Sequence, residues 1–188
     1  MPNDTSTNVN GSSTSFWQNI LWLAYVIALV VMVLDQWTKI SVVQAFEYAH
    51  VESITSFFNL TLRYNHGVAF SIFDDAAGSQ RWWLSALAII VSIVLVVWIA
   101  RLGKRWSLEL VGLSLILGGA IGNVYDRVTL GYVVDFIEVH YNGYFWPAFN
   151  IADSAISVGA GMLIVDALFF AKKREQEKEQ EAHSAENS

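Results

Sequence analysis

The stretch WWLSALAIIVSIVLVVWIA, Trp82 to Ala100, decides how this chain folds. It carries no Asp, Glu, Lys or Arg. A helix crosses roughly 30 Å of hydrocarbon with about 20 predominantly apolar residues, so this run matches one membrane crossing. Three more runs read the same way. FWQNILWLAYVIALVVMVL, Phe16 to Leu34, is uncharged. LVGLSLILGGAIGNVY, Leu110 to Tyr125, is uncharged and rich in glycine, and Ser154 to Ala171 is apolar apart from Asp166. The bland alternative for each run is a buried core helix. The spacing predicts an α-helical integral membrane protein with four transmembrane helices, at about 16–38, 82–101, 108–127 and 152–171.

The rest of the composition agrees. Hydrophobic residues make up 54% of the 188, charged residues only 15%. The formal net charge is −6 and no basic patch exists, which excludes a nucleic-acid binder held by phosphate contacts. With no Cys, disulfides, thiolate metal sites and thiol catalysis are excluded. Residues 1–15 are Asn/Ser/Thr-rich and are expected to be disordered. Residues 16–174 form one membrane domain, and 175–188 read as a charged, solvated tail. The first apolar run is too long for a signal-peptide core and lacks a basic flank before it, so it is expected to remain as a helix.

Positive charge sets the orientation. Arg101, Lys104, Arg105, Lys172, Lys173, Arg174 and Lys178 fall on the side shared by both termini. Only Lys39, Arg63, Arg81 and Arg127 fall on the other. Both termini are therefore expected in the cytoplasm. Residues 40–81 form an outer segment between helices 1 and 2. There Leu60, Leu62 and Tyr64 alternate with polar residues, as do Phe70 and Ile72, around Asn65-His66-Gly67. This pattern predicts a strand–turn–strand unit, hence a small extracytoplasmic β-sheet between helices 1 and 2. Residues 128–149 read as a second outer loop, an aromatic lid.

The polar residues gather at the outer ends of the helices. Asp35 and Lys39 are spaced i, i+4, the pattern of an interfacial ion pair with a snorkelling lysine. Asn123, Asp126 and Arg127 stand at the end of helix 3, where Asp126 and Arg127 can pair. Asp135 lies in the hydrophobic context VVDFI, and Asn150 and Asp153 precede helix 4 in FNIADSAI. Asp153 is also a natural helix N-cap, and a cap and a chemical role are not exclusive. Neither Asp135 nor Asp153 has an obvious basic partner. Two carboxylates together in a low-dielectric pocket cannot both ionise easily, so one holds a proton while the other acts as base. Gly118, Gly119 and Gly122 on helix 3, with Ala155, Gly159 and Gly161 on helix 4, offer faces for close packing. That packing would bring Asp135 and Asp153 together.

Other chemistries fit poorly. There is no HExxH and no His inside a span, which argues against a zinc protease and a Ser–His intramembrane protease. A small transporter would place a carboxylate mid-span. A scaffold protein would use the glycine faces alone and leave the polar cluster without a role.

Five blocks together resemble one family. DQWTK (35–39), NHGVAFSIF (65–73), GGAIGNVYDR (118–127), VVDFI (133–137) and FNIADSAI (149–156) look like the ordered signature blocks of bacterial lipoprotein signal peptidase, signal peptidase II. The resemblance covers roughly residues 20–170. It implies an aspartic endopeptidase without cofactor or metal, in the bacterial cytoplasmic membrane. Such enzymes remove signal peptides from diacylglyceryl-modified prolipoproteins, just before the lipidated Cys. It implies Asp135 and Asp153 as the catalytic pair. Asp35, Lys39, Asn65, Asn123, Asp126, Arg127 and Asn150 match the supporting or substrate-binding positions. Prolipoproteins, membrane lipid and globomycin-type inhibitors are the implied partners, and the chain is expected to act as a monomer. Asp166 and the tail lie outside the family pattern.

Overall fold

A computed structural model describes residues 12–67, 80–102 and 107–170, together with 176 and 180. Its helices are α1 (Ser12–Ala45), α2 (Gln80–Arg101), α3 (Leu108–Thr129) and α4 (Ile151–Phe169). All four are long and apolar enough to cross a membrane. α1 continues past the expected end near residue 38, because SVVQA contains no helix breaker; Thr38 and Ser41 turn their hydroxyls back to the carbonyls of Leu34 and Trp37. α3 starts at the N-cap Ser107, whose hydroxyl accepts from the Leu110 N–H at 3.1 Å.

The surface of this bundle is apolar. Trp83, Leu87, Ile90, Ile93 and Val94 on α2 are all exposed, as suits a helix whose solvent is hydrocarbon. The packed interior belongs to α3, which touches each of the other three helices. Ala24, Ala28, Leu95, Ile99, Leu110, Leu113 and Leu117 form the core between α1, α2 and α3.

Glycines set the distances, but not all toward α4. A Cβ at Gly119 would collide with the Ala152 carbonyl of α4, and Gly112 and Gly159 meet face to face. Gly118 instead lies against Ala28 of α1, and Gly122 against the Asp35 carboxylate. The GxxxG pair Gly118/Gly122 is therefore the α1–α3 seam, while Gly112 and Gly119 make the α3–α4 seam. Gly161 has no neighbour within 4 Å of where a Cβ would stand, so it plays no part in packing. The two seams arise because Gly118 and Gly119 are adjacent, and neighbouring helical residues point about 100° apart.

At one end of the bundle sits an antiparallel sheet of order β1-β2-β3-β4, with β1 Val51–Ser53, β2 Phe58–Asn65, β3 Val133–Tyr141 and β4 Tyr144–Phe145. The strand expected at Leu60–Tyr64 is present within β2. Its long partner is β3, drawn from the segment read as a loop over 128–149. The sheet thus takes strands from both connecting segments. The strand expected around Phe70–Ile72 lies outside the described residues. β3 had been hidden by its run of buried residues, Val133 to Phe136, which gives no apolar–polar alternation. A bulge between Leu60 and Arg63 re-registers the pair so that Arg63 faces Asp135 and Asn65 faces Val133. β3 and β4 close through Asn142 and Gly143, both at positive φ (53° and 86°), the conformation of a tight two-residue hairpin.

Candidate active site

The polar residues singled out in the sequence converge where the ends of α1, α3 and α4 meet β2 and β3. Asp135 enters from β3 and is 2% exposed. Its Oδ1 accepts from Asn150 Nδ2 at 2.8 Å and its Oδ2 from Asn65 Nδ2 at 3.0 Å. Asn65 is aimed by the turn it opens. Its Oδ1 accepts the Gly67 N–H at 2.8 Å, with Gly67 at φ +86°, which leaves the amide nitrogen pointing at Asp135. On the sheet, Asn65 and Asp135 share one face two residues apart in register, the diagonal reach expected across an antiparallel pair.

Asp153 enters from the first turn of α4. It is not the N-cap. Asn150 is, with its Oδ1 accepting from the Asp153 N–H at 2.9 Å. The Asp153 carboxylate returns to the Asn150 N–H at 3.3 Å, which completes a capping box. Its other oxygen accepts from Asn123 Nδ2 at 2.7 Å. The box uses one carboxylate oxygen weakly, so the cap does not exhaust the side chain. Asn150, completely buried, joins the two acids: its side chain donates to Asp135 while its backbone donates to Asp153.

Beneath this pair lies an ion cluster. Lys39 Nζ sits 2.7 Å from Asp35 Oδ2 and 2.8 Å from Asp126 Oδ2, and donates to Asn123 Oδ1 at 3.2 Å. Asp35, Lys39 and Asp126 are 0%, 2% and 1% exposed. The i, i+4 pair is therefore real but not interfacial, and the lysine does not snorkel. It is turned inward by a second carboxylate from α3. The Asp126–Arg127 pair that adjacency allowed does not form. Adjacent helical residues diverge, so Asp126 faces Lys39 while Arg127 donates to the Asn123 carbonyl at 3.4 Å. Arg127 also lies within electrostatic range of Asp153, Asp135 and Asp126, a basic neighbour that linear spacing did not reveal. Asp166 is buried at the opposite end of α4 and does not join the group.

The electrostatics set Asp135 apart. Its pKa stands at about 6, above the usual 3.8: burial is the largest cause, the hydrogen bonds from Asn65 and Asn150 hold it down, and the nearby Asp153 charge pushes it up. Burial likewise pushes the Tyr132 phenol above its usual range, where it packs on Tyr64 with ring centroids 4.4 Å apart. A carboxyl that changes protonation near neutrality, beside a second carboxylate, can exchange a proton with a reacting group. Among the described residues, no three His, Asp or Glu side chains are grouped to hold a metal ion.

One member was missed. Gln36 reaches from α1 to α3 and donates to Asp126 Oδ1 at 2.8 Å, Asp35 Oδ2 at 3.2 Å and the Gly122 carbonyl at 3.3 Å. Its place inside the DQWTK block was the available signal, but a glutamine next to an aspartate carries no pattern of its own.

Comparison with known proteins agrees with this geometry. Residues 27–169 match the family model described as Signal peptidase (SPase) II. A lipoprotein signal peptidase of Teredinibacter turnerae is 56% identical over 148 residues, covering 79% of this chain and 88% of the relative. One of Cellvibrio japonicus is 51% identical over 157 residues, covering 84% and 92%. A solved bacterial membrane enzyme, determined by the in meso method at 1.9 Å, superposes with a TM-score of 0.71 at 32% identity, covering 79% of this chain and 94% of that one. With four membrane-spanning helices, a family match across most of its length and relatives above half identity, the chain belongs to the signal peptidase II family.

Proposed function

We propose that this protein is an aspartic endopeptidase of the bacterial membrane that removes signal peptides from diacylglyceryl-modified prolipoproteins, with Asp135 and Asp153 as the reacting pair. One observation carries the assignment of the pair. Two carboxylates from different elements meet on a single buried asparagine, Asn150, and one of them has its pKa raised to about 6.

Asp135, the carboxyl with the raised pKa, takes up a proton the more readily and carries it in the reacting form of the pair. It donates that proton to the scissile carbonyl oxygen as the tetrahedral gem-diol forms. Asp153, ionised, takes a proton from water as that water attacks the carbonyl carbon. On collapse Asp135 takes a proton back from a gem-diol hydroxyl as the carbonyl re-forms, Asp153 gives the water-derived proton to the amine nitrogen as the C–N bond breaks, and both acids return to their starting states. Asn65, Asn123 and Asn150 orient the carboxyl groups without adding charge. The substrate's acyl chains remain in lipid beside the bundle, and cleavage falls just before the lipidated Cys. Arg127, half-buried and within electrostatic range of Asp153 and Asp135, is a substrate-binding group.

The reading also includes cytoplasmic termini, the pair on the outer side of the membrane, a monomeric enzyme and inhibition by globomycin-type cyclic peptides. The Lys/Arg asymmetry of the sequence supports the orientation. The test is purified protein with a diacylglyceryl-modified prolipoprotein, with and without globomycin. Cleavage that globomycin stops, and that Asp135→Asn and Asp153→Asn each abolish, is expected. Full turnover by either variant would remove that residue from the pair.

A further inference from the structure

Asp35, Lys39 and Asp126 could be read as a buried structural ion cluster and no more. Two backbone contacts argue otherwise. The Asp126 carboxylate accepts from the Val134 N–H at 3.3 Å, through the same oxygen that meets Lys39. The Asp35 carboxylate accepts from the Ala152 N–H at 2.9 Å. Val134 immediately precedes Asp135, and Ala152 immediately precedes Asp153. Each supporting carboxylate therefore grips the peptide group one residue ahead of one acid of the pair. Lys39 ties the two carboxylates together at 2.7 and 2.8 Å, and Gln36 bridges them again at 3.2 and 2.8 Å, through the same Asp35 oxygen and the other Asp126 oxygen.

We propose that Asp35, Gln36, Lys39 and Asp126 are a positioning clamp that fixes Asp135 and Asp153 relative to each other through the backbone N–H groups of Val134 and Ala152. The proposal rests on Asp135 and Asp153 being the reacting pair. Physical need for such a device is plain. Asp135 sits on a strand and Asp153 on a helix, and these elements approach the pair from separate stretches of chain. Nothing in a strand or a helix alone sets the distance between them. Two like carboxyl groups also repel whenever both ionise, so their approach must be held by something rigid. α1 and α3 supply it. Gly122, without a side chain, lets the Asp35 carboxylate lie against α3, where any Cβ would stand 2.7 Å from Asp35 Oδ2. Charge-assisted bonds to buried backbone donors are among the stronger polar contacts available, and the Ala152 contact at 2.9 Å is the tighter of the two. Gln36 completes the arrangement by giving Asp126 Oδ1 a donor that adds no charge.

Hydrogen exchange and steady-state kinetics on the full-length protein in detergent test this together. The variants are Asp126→Leu, Asp126→Asn, Asp35→Leu and Gln36→Met. Asp126→Leu is expected to speed exchange at Val134 and leave Ala152 protected, and Asp35→Leu the reverse. In each, kcat falls about 100-fold with KM unchanged, the cost of a misplacement of about 1 Å. Asp126→Asn retains an oxygen for the Val134 N–H, so it is expected to restore both protection and most of kcat. Gln36→Met is expected to lower kcat about tenfold and loosen both amides. Loss of kcat with Val134 and Ala152 exchange unchanged would overturn the clamp. So would a rise in KM at constant kcat, which would make these residues substrate contacts. If a leucine variant does not fold, Asp126→Asn and Gln36→Met still decide: an inactive Asp126→Asn with a protected Val134 amide, or a fully active Gln36→Met, refutes it. Asp135→Asn and Asp153→Asn serve as separate controls. Their activity would defeat the assignment of the pair, while the exchange pattern would still report on the clamp.

Discussion

Asp135→Asn is expected to abolish cleavage and at the same time to stabilise the protein above about pH 6. Folding raises the Asp135 pKa from 3.8 to about 6, with burial as the main cause. The folded state therefore binds this proton more tightly than the unfolded state does. The stability this provides is fully present below about pH 4 and is lost as pH rises to about 6. At about 1.4 kcal/mol per pH unit, the ionised carboxylate costs the fold roughly 3 kcal/mol at neutral pH. An amide at this position carries no charge and escapes that cost. It has one oxygen, however, where Asn65 and Asn150 present two N–H donors. Leaving one buried donor unmatched costs about 1–2 kcal/mol. The net gain is then about 1–2 kcal/mol at neutral pH, a rise in Tm of roughly 2–8 °C for a chain of this size. Below about pH 4 the gain turns into a small loss. The assay is thermal unfolding of detergent-purified wild type and variant across this pH range, with cleavage of a lipidated prolipoprotein measured in parallel. A stability difference that does not change with pH would refute the reasoning. So would a wild type that gains on the variant as pH rises between about 4 and 6, since either result means that burial does not raise this carboxyl.

Four further outcomes are expected. The Asp135→Asn/Asp153→Asn double variant should be no slower than either single, because the acids act as a unit; further loss in the double would show that they contribute independently. Asn150→Ala removes a donor to Asp135 and the cap of α4 together, so turnover should fall with residual activity and Tm should drop by several degrees, read by cleavage and unfolding assays. Gly119→Val drives a side chain into the Ala152 carbonyl, so α4 should shift beside Asp153, with activity lost before insertion into the membrane is, as scored by cleavage and membrane fractionation. A reporter fused after Ser188 should be active only when it is of the cytoplasmic kind; the opposite result would invert the orientation.

The four crossings were legible in the sequence, though not the limits of the first, because hydrocarbon of fixed thickness demands long uncharged runs and few other settings permit them. The polar side chains of the site were legible for the same reason. In an apolar chain, Asp135, Asp153 and Asn150 stand out, and ionisable groups so near hydrocarbon call for partners. Their partners were another matter. Lys39 meets Asp126, far along the chain, only because Gly118 and Gly122 let α1 and α3 close up. Linear spacing offered Arg127 instead, which is adjacent in sequence yet on another side of the helix. β3 was read as loop because a strand buried on both faces loses the alternation that marks it, and its pairing with β2 spans two connecting segments. The cap of α4 fell to Asn150 rather than Asp153, since the bridge between Phe149 and Ile137 of β3 fixes the chain just ahead of the helix. Composition and periodicity are properties of a residue and its near neighbours. Which carboxylate a lysine reaches, and which backbone N–H a carboxylate holds, depend on where helices and strands dock, and that only the tertiary structure decides.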